Sequence, residues 1–206
     1  MILKAEHLAN LLDPTESKSS DPFVITPAPD LPKLKSSGSA SIDLRLGCWL
    51  LTLRQSKKAV FKVADASSPW SEAQFAKTHY VPFGGVFILH PQSFVLAATL
   101  EWIRMPKNLA GYVIGRSSWG RVGLIIATAT GVHPGFTGCL TLELTNVGEI
   151  PIEIKPGMSI CQLFVHSVQV GTSDSVDQSR FVGSRKPRLG KIVPDETAQK
   201  LIDHTI

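Results

Sequence analysis

The sequence predicts an all-β fold with minor helices, in the form of a distorted barrel or jelly roll. Many short apolar runs alternate with polar residues, and glycine or proline lies in nearly every gap between them. A length of 206 residues is enough for one domain with its own core. We therefore expect a single domain over residues 1–206, with an N-terminal helix and loop (1–38), a β core (39–168) and a basic C-terminal tail (169–206).

The first 38 residues predict one helix followed by a loop. Residues 3–12 form a short amphipathic pattern in which four leucines can share one side, and Asp13-Pro14 ends it. Residues 13–38 hold five prolines and many serines, which indicates a loop with a short extended piece at 23–25.

The β pattern begins at Ser39. Ile42, Leu44 and Leu46 alternate with polar residues, and Gly47 is expected to break this run before a second apolar stretch at 48–53. Residues 65–79 are polar and predict one helical turn or a surface loop. The remaining strands are predicted at 86–89, 94–100, 111–114, 124–128, 140–144, 150–154 and 159–165.

Composition narrows the class of protein. The chain is 43% hydrophobic and 18% charged, and it lacks both a long uncharged apolar run and a signal-peptide pattern, so we expect no membrane span. Three cysteines without pair spacing indicate reduced thiols in a cytoplasmic protein. A net charge of +4 suits an anionic ligand and is compatible with either a nucleotide or a nucleic acid.

Residues 115–121, Gly-Arg-Ser-Ser-Trp-Gly-Arg, concentrate groups that bind oxyanions. Arg116 and Arg121 each offer a planar fork of donors, and the hydroxyls of Ser117 and Ser118 can complete the shell around a phosphate. One turn of helix at 119–122 would add a positive helix end beneath that phosphate.

The segment from Cys139 to Thr145 predicts a strand with two different faces. Leucine occupies every second place, so Thr141, Glu143 and Thr145 lie on the opposite face. A strand carboxylate close in sequence to a phosphate-binding loop makes Glu143 a candidate general base.

Five stretches resemble the dCTP deaminase branch of the dUTPase-like superfamily. They are SASIDLRLG at 39–47, FILHPQSFVLAATLEWIRMPKNLAGYV at 87–113, GRSSWGRVGL at 115–124, HPGFTGCLTLELTN at 133–146 and PIEIKPGMSICQLFV at 151–165. They follow the family's order and cover about two thirds of the chain. The resemblance implies a dUTPase-like distorted barrel that forms a homotrimer with active sites between subunits.

The resemblance also implies an activity: zinc-free deamination of dCTP to dUTP and ammonia. Glu143 would move the protons, and Arg121 and Ser117 would hold the attacking water. The triphosphate would arrive with Mg²⁺. The implied nucleotide-binding set is Arg116, Ser117, Ser118, Trp119, Gly120, Arg121, Ala129, His133, Thr141, Leu142, Glu143, Arg180 and Ser184. Within it, the small residues 127–130 would offer their backbone to the pyrimidine edge.

The chain departs from the family pattern at several of these places. His133 stands where the superfamily has an aspartate that contacts the sugar or orients water. In the C-terminal lid, which the family folds over the nucleotide, Arg180 replaces lysine and Ser184 replaces glutamine. Ser173 stands where an aromatic residue is usual.

Three alternatives to the deaminase remain open, and the changes at His133, Ser173 and Ser184 suggest one of them, the regulator. One is a bifunctional enzyme that continues to dUMP and pyrophosphate, and another is a deoxynucleotide-binding regulator without catalysis. A plain dUTPase is disfavoured by Glu143 and His133. The H-x-E and P-C-x-x-C motifs of zinc deaminases are absent from the sequence, so no zinc is expected. The expected partners are dCTP, dTTP as a candidate inhibitor and further copies of the chain, with no nucleic acid or membrane.

Overall fold

A computed structural model describes residues 1–17, 19–54, 72–127, 131–169, 183–190 and 200. Four short helices lie in these ranges: α1 (Ala5–Leu12), α2 (Leu31–Ser36), α3 (Glu72–Phe75) and α4 (Ser117–Gly120). The strands are β1 (Val24–Thr26), β2 (Ser41–Leu53), β3 (Ala76–Tyr80), β4 (Phe87–Leu89), β5 (Phe94–Arg104), β6 (Leu109–Gly115), β7 (Leu124–Ile126), β8 (Gly131–Val132), β9 (Thr137–Asn146), β10 (Ile152–Ile154) and β11 (Ser159–Ser167). The predicted all-β class with minor helices is confirmed.

Nine strands form one curled antiparallel sheet. Its main path runs β7-β9-β5-β2-β11-β6-β8, while β1 pairs with β5 and β3 pairs with β2. Strands β4 and β10 form a separate two-stranded sheet. The curl brings β6 to β7: a Cβ added to Gly115 would lie 3.4 Å from the Cβ of Ile126. This near-closure is the distorted barrel that the sequence predicts.

The core fills the inside of the curl. Alternate residues of β9, Leu140, Leu142 and Leu144, are buried there, as the alternating pattern predicts. Helix α1 buries Leu8 against the same core, because its apolar side faces the barrel. None of the helices in the described ranges is long and apolar enough to cross a membrane.

Two buried polar residues fix the framework. Glu101 is 2% exposed and accepts hydrogen bonds from the backbone N–H of Arg45 at 2.8 Å and from its Nε at 2.6 Å. Asn146 is 0% exposed, and its side-chain amide donates to the carbonyls of Leu89 (3.0 Å) and Ile150 (2.8 Å). Because a buried polar group without partners is costly, these bonds hold β2 to β5 and fix the turn after β9.

Gly47 does not break the strand, contrary to the sequence expectation. Strand β2 runs through it without interruption. The glycine is needed because β2 passes very close to β5 here: an added Cβ would lie 2.8 Å from the carbonyl oxygen of Ala98. The register also shifts between Leu46 and Leu50, which marks an irregularity rather than an end.

The loops predicted at 13–38 and 65–79 contain more structure than expected. Helix α2 begins where the side chain of Asp30 accepts the backbone N–H of Lys33 at 3.1 Å, with Pro32 in its first turn. Strand β1 pairs with β5, so the first 38 residues also contribute to the sheet. Residues 72–80 form α3 and β3, of which only the helical turn was anticipated.

Candidate active site

The arginine loop lies between the end of β6 and the one-turn helix α4. Ser117, Ser118 and Arg121 are exposed, and their side chains make no hydrogen bond or ion pair within the described ranges. The first backbone N–H groups of a helix have no partner inside it. Hydroxyls, a guanidinium and backbone donors therefore lie within the five residues 117–121, which suits a compact oxyanion.

Arg116 is positioned by a strand carboxylate that the sequence did not single out. Its Nη1 lies 2.5 Å from Oδ2 of Asp43 on β2. The other carboxylate oxygen, Oδ1, accepts a hydrogen bond from Nε2 of Gln162 on β11 at 3.0 Å. The pairing fixes the direction of the guanidinium and leaves its remaining N–H donors for a ligand.

Trp119, a member of the implied nucleotide-binding set, also has a structural role that the resemblance did not imply. Its indole N–H donates to the carbonyl of Ser159 at 2.9 Å, and the ring packs against the core. The indole nitrogen is thus already used, and the residue anchors the loop to β11. The neighbouring Gly120 faces open space, since an added Cβ would meet no atom within 4 Å.

Glu143 is half-buried on the outer face of β9, together with Thr141 and Thr145, as the alternating pattern predicts. Leu142 points the other way and its side chain is fully buried in the core, so only its backbone could serve the nucleotide site that the resemblance implies. The carbonyl of Glu143 accepts the backbone N–H of Ala127 at 2.9 Å. The structure therefore brings the start of the small-residue segment 127–130 against Glu143, while Ala129 lies outside the described residues.

His133 is exposed and begins a turn at the far end of the segment 127–133. Ala127 is bonded to Glu143 on β9, whereas Val132 on β8 pairs with Gly111 on β6. His133 follows directly, and its carbonyl accepts the N–H of Phe136 at 3.1 Å. Its imidazole makes no hydrogen bond to any described residue.

Residues 183–190, here termed the strap, lie across the outer face that carries Glu143. The N–H of Gly183 donates to the carbonyl of Thr137 at 2.7 Å, and the N–H of Cys139 donates to the carbonyl of Ser184 at 2.9 Å. Farther along, Leu189 packs against a small apolar cluster of Leu51, Ala76 and Leu96, and Leu96 on β5 is the residue paired with Glu143.

The strap is therefore folded against β9 of its own chain, although Gly183, Pro187 and Gly190 in its sequence predict a flexible tail. Ser184, placed by the resemblance in the nucleotide site, donates its hydroxyl to the carbonyl of Lys186 at 2.7 Å and so shapes the strap itself. Arg180 lies outside the described residues.

The cysteines of this region are free thiols. Burial raises the pKa of the Cys139 thiol, and the nearby Arg185 partly opposes that shift. Burial also raises the pKa of Cys48, and it raises the pKa of Cys161 to about 12. All three are thus protonated at neutral pH and poorly suited to act as nucleophiles.

The predicted site residues form two groups in one chain. The arginine loop sits by β2 and β11, where Asp43 and Gln162 hold Arg116. Glu143, Thr141 and the strap belong to the β9 side of the sheet. The alternating pattern of β2 places Asp43 on its polar face. The local sequence could not reveal that its partner is Arg116, 73 residues away.

Comparison with known proteins decides the family. A family model described as dCTP deaminase-like matches residues 6–168. The chain belongs to the dCTP deaminase-like family. The resemblance seen in the sequence is therefore confirmed, and the family match spans α1 and the β core as far as the end of β11.

Named relatives of this dCTP deaminase-like chain cover most of its length. A Methanobrevibacter smithii protein named "dCTP deaminase, dUMP-forming" is 31% identical over 183 residues, which is 86% of this chain and 91% of the relative. A Thermomicrobium roseum protein named "dCTP deaminase" is 32% identical over 181 residues, covering 86% and 89% of the two chains.

A solved structure supports the fold of the dCTP deaminase-like chain. The crystal structure of 2′-deoxycytidine 5′-triphosphate deaminase from Agrobacterium tumefaciens superimposes with a TM-score of 0.58 over 80% of this chain, at 20% sequence identity. The match spans 46% of that longer chain. At this identity the likeness concerns the fold alone.

Proposed function

We propose that this chain is a dCTP deaminase, which hydrolyses the exocyclic C4–N bond of the cytosine ring and releases ammonia. The observation that carries the proposal is the position of Glu143: a half-buried carboxylate on a sheet face, beside the backbone of Ala127 and on the strand to which the strap is bonded. The names of the two relatives, "dCTP deaminase, dUMP-forming" and "dCTP deaminase", agree with it.

The proposed chemistry needs one group that both accepts and donates protons. Water attacks C4 while Glu143 takes a proton from it and passes that proton to N3, which makes C4 more electrophilic. In the tetrahedral intermediate, Glu143 then moves the hydroxyl proton to the amine, and the C4–N bond breaks as ammonia leaves. The ring keeps a carbonyl oxygen at C4, which completes the conversion of cytosine to uracil.

The arginine loop is proposed to hold the triphosphate. Arg116, Ser117 and Ser118 would contact phosphate oxygens, while Arg121 and Ser117 position the attacking water. Mg²⁺ would enter on the triphosphate and neutralise part of its charge. Asp43, the acid paired with Arg116, is already engaged by Arg116 and Gln162, so the loop fits a cation-bearing phosphate rather than a metal bound by the protein alone.

We propose that a homotrimer joins the two groups of residues, with the arginine loop of one subunit facing Glu143 of another. Apolar side chains beside the loop support this arrangement: Tyr112 and Ile114 on β6 are 49% and 52% exposed in the single chain. Exposed apolar side chains that cluster on one strand are typical of a surface that another subunit covers. The proposed location is the cytoplasm, and dTTP, which shares the triphosphate, is the proposed inhibitor.

A second candidate is the bifunctional reaction, in which the same chain converts dUTP to dUMP and pyrophosphate. The name of the M. smithii relative favours it. His133, which replaces the aspartate expected for that step, favours the deaminase that stops at dUTP.

Separation of all products after incubation with dCTP and Mg²⁺ distinguishes the candidates. Deamination alone gives ammonia and dUTP in equal amounts, whereas the bifunctional enzyme gives ammonia, dUMP and pyrophosphate. Incubation with dUTP alone should leave it intact in the first case and convert it to dUMP in the second. Tight binding of dCTP without any product would contradict both and indicate a regulator.

A further inference from the structure

A cavity of about 480 Å³ lies on the outer face of the sheet, away from the arginine loop. Its walls come from β1, β2, β5 and β9, and the strap closes one side. It exists because two register shifts coincide: one in β2 after Leu46, and one in β5 between Ala98 and Trp102. The volume falls in the range of about 300–1,000 Å³ that small-molecule sites occupy.

We call this space the Trp102 cavity, because Trp102 supplies an open aromatic surface on its wall. Thr26 and Cys139 flank it on the adjacent strands β1 and β9, in register on either side. The ring of Trp49, across the cavity, is already engaged: Tyr80 lies 4.9 Å away and Nζ of Lys186 lies 3.8 Å from the ring centre. Trp102 has no such ring contact with any described residue, so it can stack on a planar ligand.

The cavity offers several hydrogen-bond donors, together with the hydroxyls of Thr26 and Thr99. The indole N–H groups of Trp49 and Trp102 have no hydrogen-bond acceptor among the described residues. Neither nitrogen is a buried unpaired atom, so both are open to solvent or to a ligand. Arg185 lines the cavity mouth and pairs with no carboxylate in the described ranges. None of the described lining residues is acidic. The two indole N–H groups can donate hydrogen bonds, and Arg185 carries a positive charge that no described acid neutralises. These groups therefore suit an anionic ligand that carries acceptor atoms.

We propose that the Trp102 cavity binds a nucleoside monophosphate, at a site distinct from the one that holds Glu143 and the arginine loop. The planar base stacks on Trp102, a carbonyl oxygen of the base accepts the indole N–H of Trp49, and the phosphate pairs with Arg185. Binding here does not require the proposed deamination. Because the strap forms part of the wall, occupancy also fastens the strap to the face that carries Glu143.

Titration calorimetry with dUMP tests the proposal. We expect one dUMP per chain, with binding weakened roughly tenfold or more by Arg185→Glu, since this removes the one guanidinium that the described lining residues supply for the phosphate. Arg188→Glu makes the same charge change on the strap outside the cavity and should leave the affinity unchanged. Deoxyuridine and inorganic phosphate, each lacking half of the ligand, should bind at least tenfold more weakly than dUMP.

A double variant separates the two sites. Arg121→Ala with Glu143→Gln removes the proposed reaction machinery, and dUMP binding should persist in it. Loss of dUMP binding in this variant, or equal binding by Arg185→Glu and the parent, would overturn the proposal. So would the absence of dUMP binding to the parent protein.

A measurement on the parent protein needs no substitution. Cys48 and Cys139 line the cavity, whereas Cys161 is buried in the core. Bound dUMP should slow alkylation of both cavity thiols at least tenfold, as measured by mass spectrometry, while inorganic phosphate has no effect. Unchanged alkylation of Cys48 at saturating dUMP would place the ligand elsewhere and contradict the proposal.

Discussion

The charged side chains near the candidate site are held by partners far away in sequence. Arg116 reaches Asp43 across 73 positions, and Arg45 reaches Glu101 across 56. The two pairs serve different ends. Glu101 is buried and accepts hydrogen bonds from the backbone and side chain of Arg45 on β2. Asp43 is half-exposed and orients Arg116 at the surface. A fixed guanidinium loses less freedom when it binds phosphate than a mobile one would.

Replacement of Arg116 by alanine should therefore weaken dCTP binding by about 2 kcal/mol or more, roughly 30-fold, because an oriented cation is lost at the triphosphate. The measurement is equilibrium dialysis in a Glu143→Gln background, which prevents turnover. Arg104→Ala is the matched control, since Arg104 also pairs with an aspartate, Asp21, at 3.0 Å on the surface. Equal affinity of the two variants for dCTP would remove Arg116 from the site.

At the scale of elements, the local pattern predicted the strands that alternate and missed the parts that depend on distant contacts. The face of β9 that carries Glu143 follows from its own alternation. The continuity of β2 through Gly47 does not, because it depends on the carbonyl of Ala98 on β5. The sequence of the strap likewise predicts a flexible tail, and only its bonds to Thr137 and Cys139 hold it against the sheet.

Gly138 is the residue that lets the strap dock. Its φ is +147°, and an added Cβ would lie 3.2 Å from the carbonyl oxygen of Ser184. We expect Gly138→Ala to cost about 1 kcal/mol or more and to loosen the strap, because alanine disfavours this backbone conformation and pushes against the strap. Trypsin should then cleave after Arg185 and Arg188 faster than in the parent.

Gly131→Ala is the control for the strap experiment, since an added Cβ there meets no atom within 4 Å. Its tryptic cleavage rate at the strap should match that of the parent. If Gly138→Ala is also cleaved at the parental rate, the strap does not depend on the close approach at Gly138.

At the scale of the whole molecule, the two groups of site residues lie on strands that are far apart in the strand order. The arginine loop follows β6 and Glu143 lies on β9, with β5, β2 and β11 between them along the main path, while the curl brings Gly115 at the end of β6 back to Ile126 on β7, the strand beside β9. We expect the protein to sediment as a trimer of about 67 kDa, three times the 22.3 kDa of one chain. A monomer that still turns over dCTP would contradict sites shared between subunits.

Mixed trimers test the sharing directly. Arg121→Ala and Glu143→Gln subunits should each be inactive alone, because each lacks one half of every site. After unfolding and refolding together in equal amounts, about one quarter of the sites should combine an intact Arg121 with an intact Glu143, and activity should return in proportion. Refolded mixtures without activity, beside a fully active refolded parent, would show that each site lies within one chain.

Ammonia release from dCTP tests the central claim most directly. The parent protein should release one ammonia per dCTP, and Glu143→Gln should lower the rate at least about 10²-fold with little change in dCTP affinity, because the amide keeps its shape and loses the basic oxygen. Glu153→Gln, the same change at an exposed residue of β10, should retain the parental rate. Ammonia release by Glu143→Gln at the parental rate, or none from the parent itself, would contradict the account.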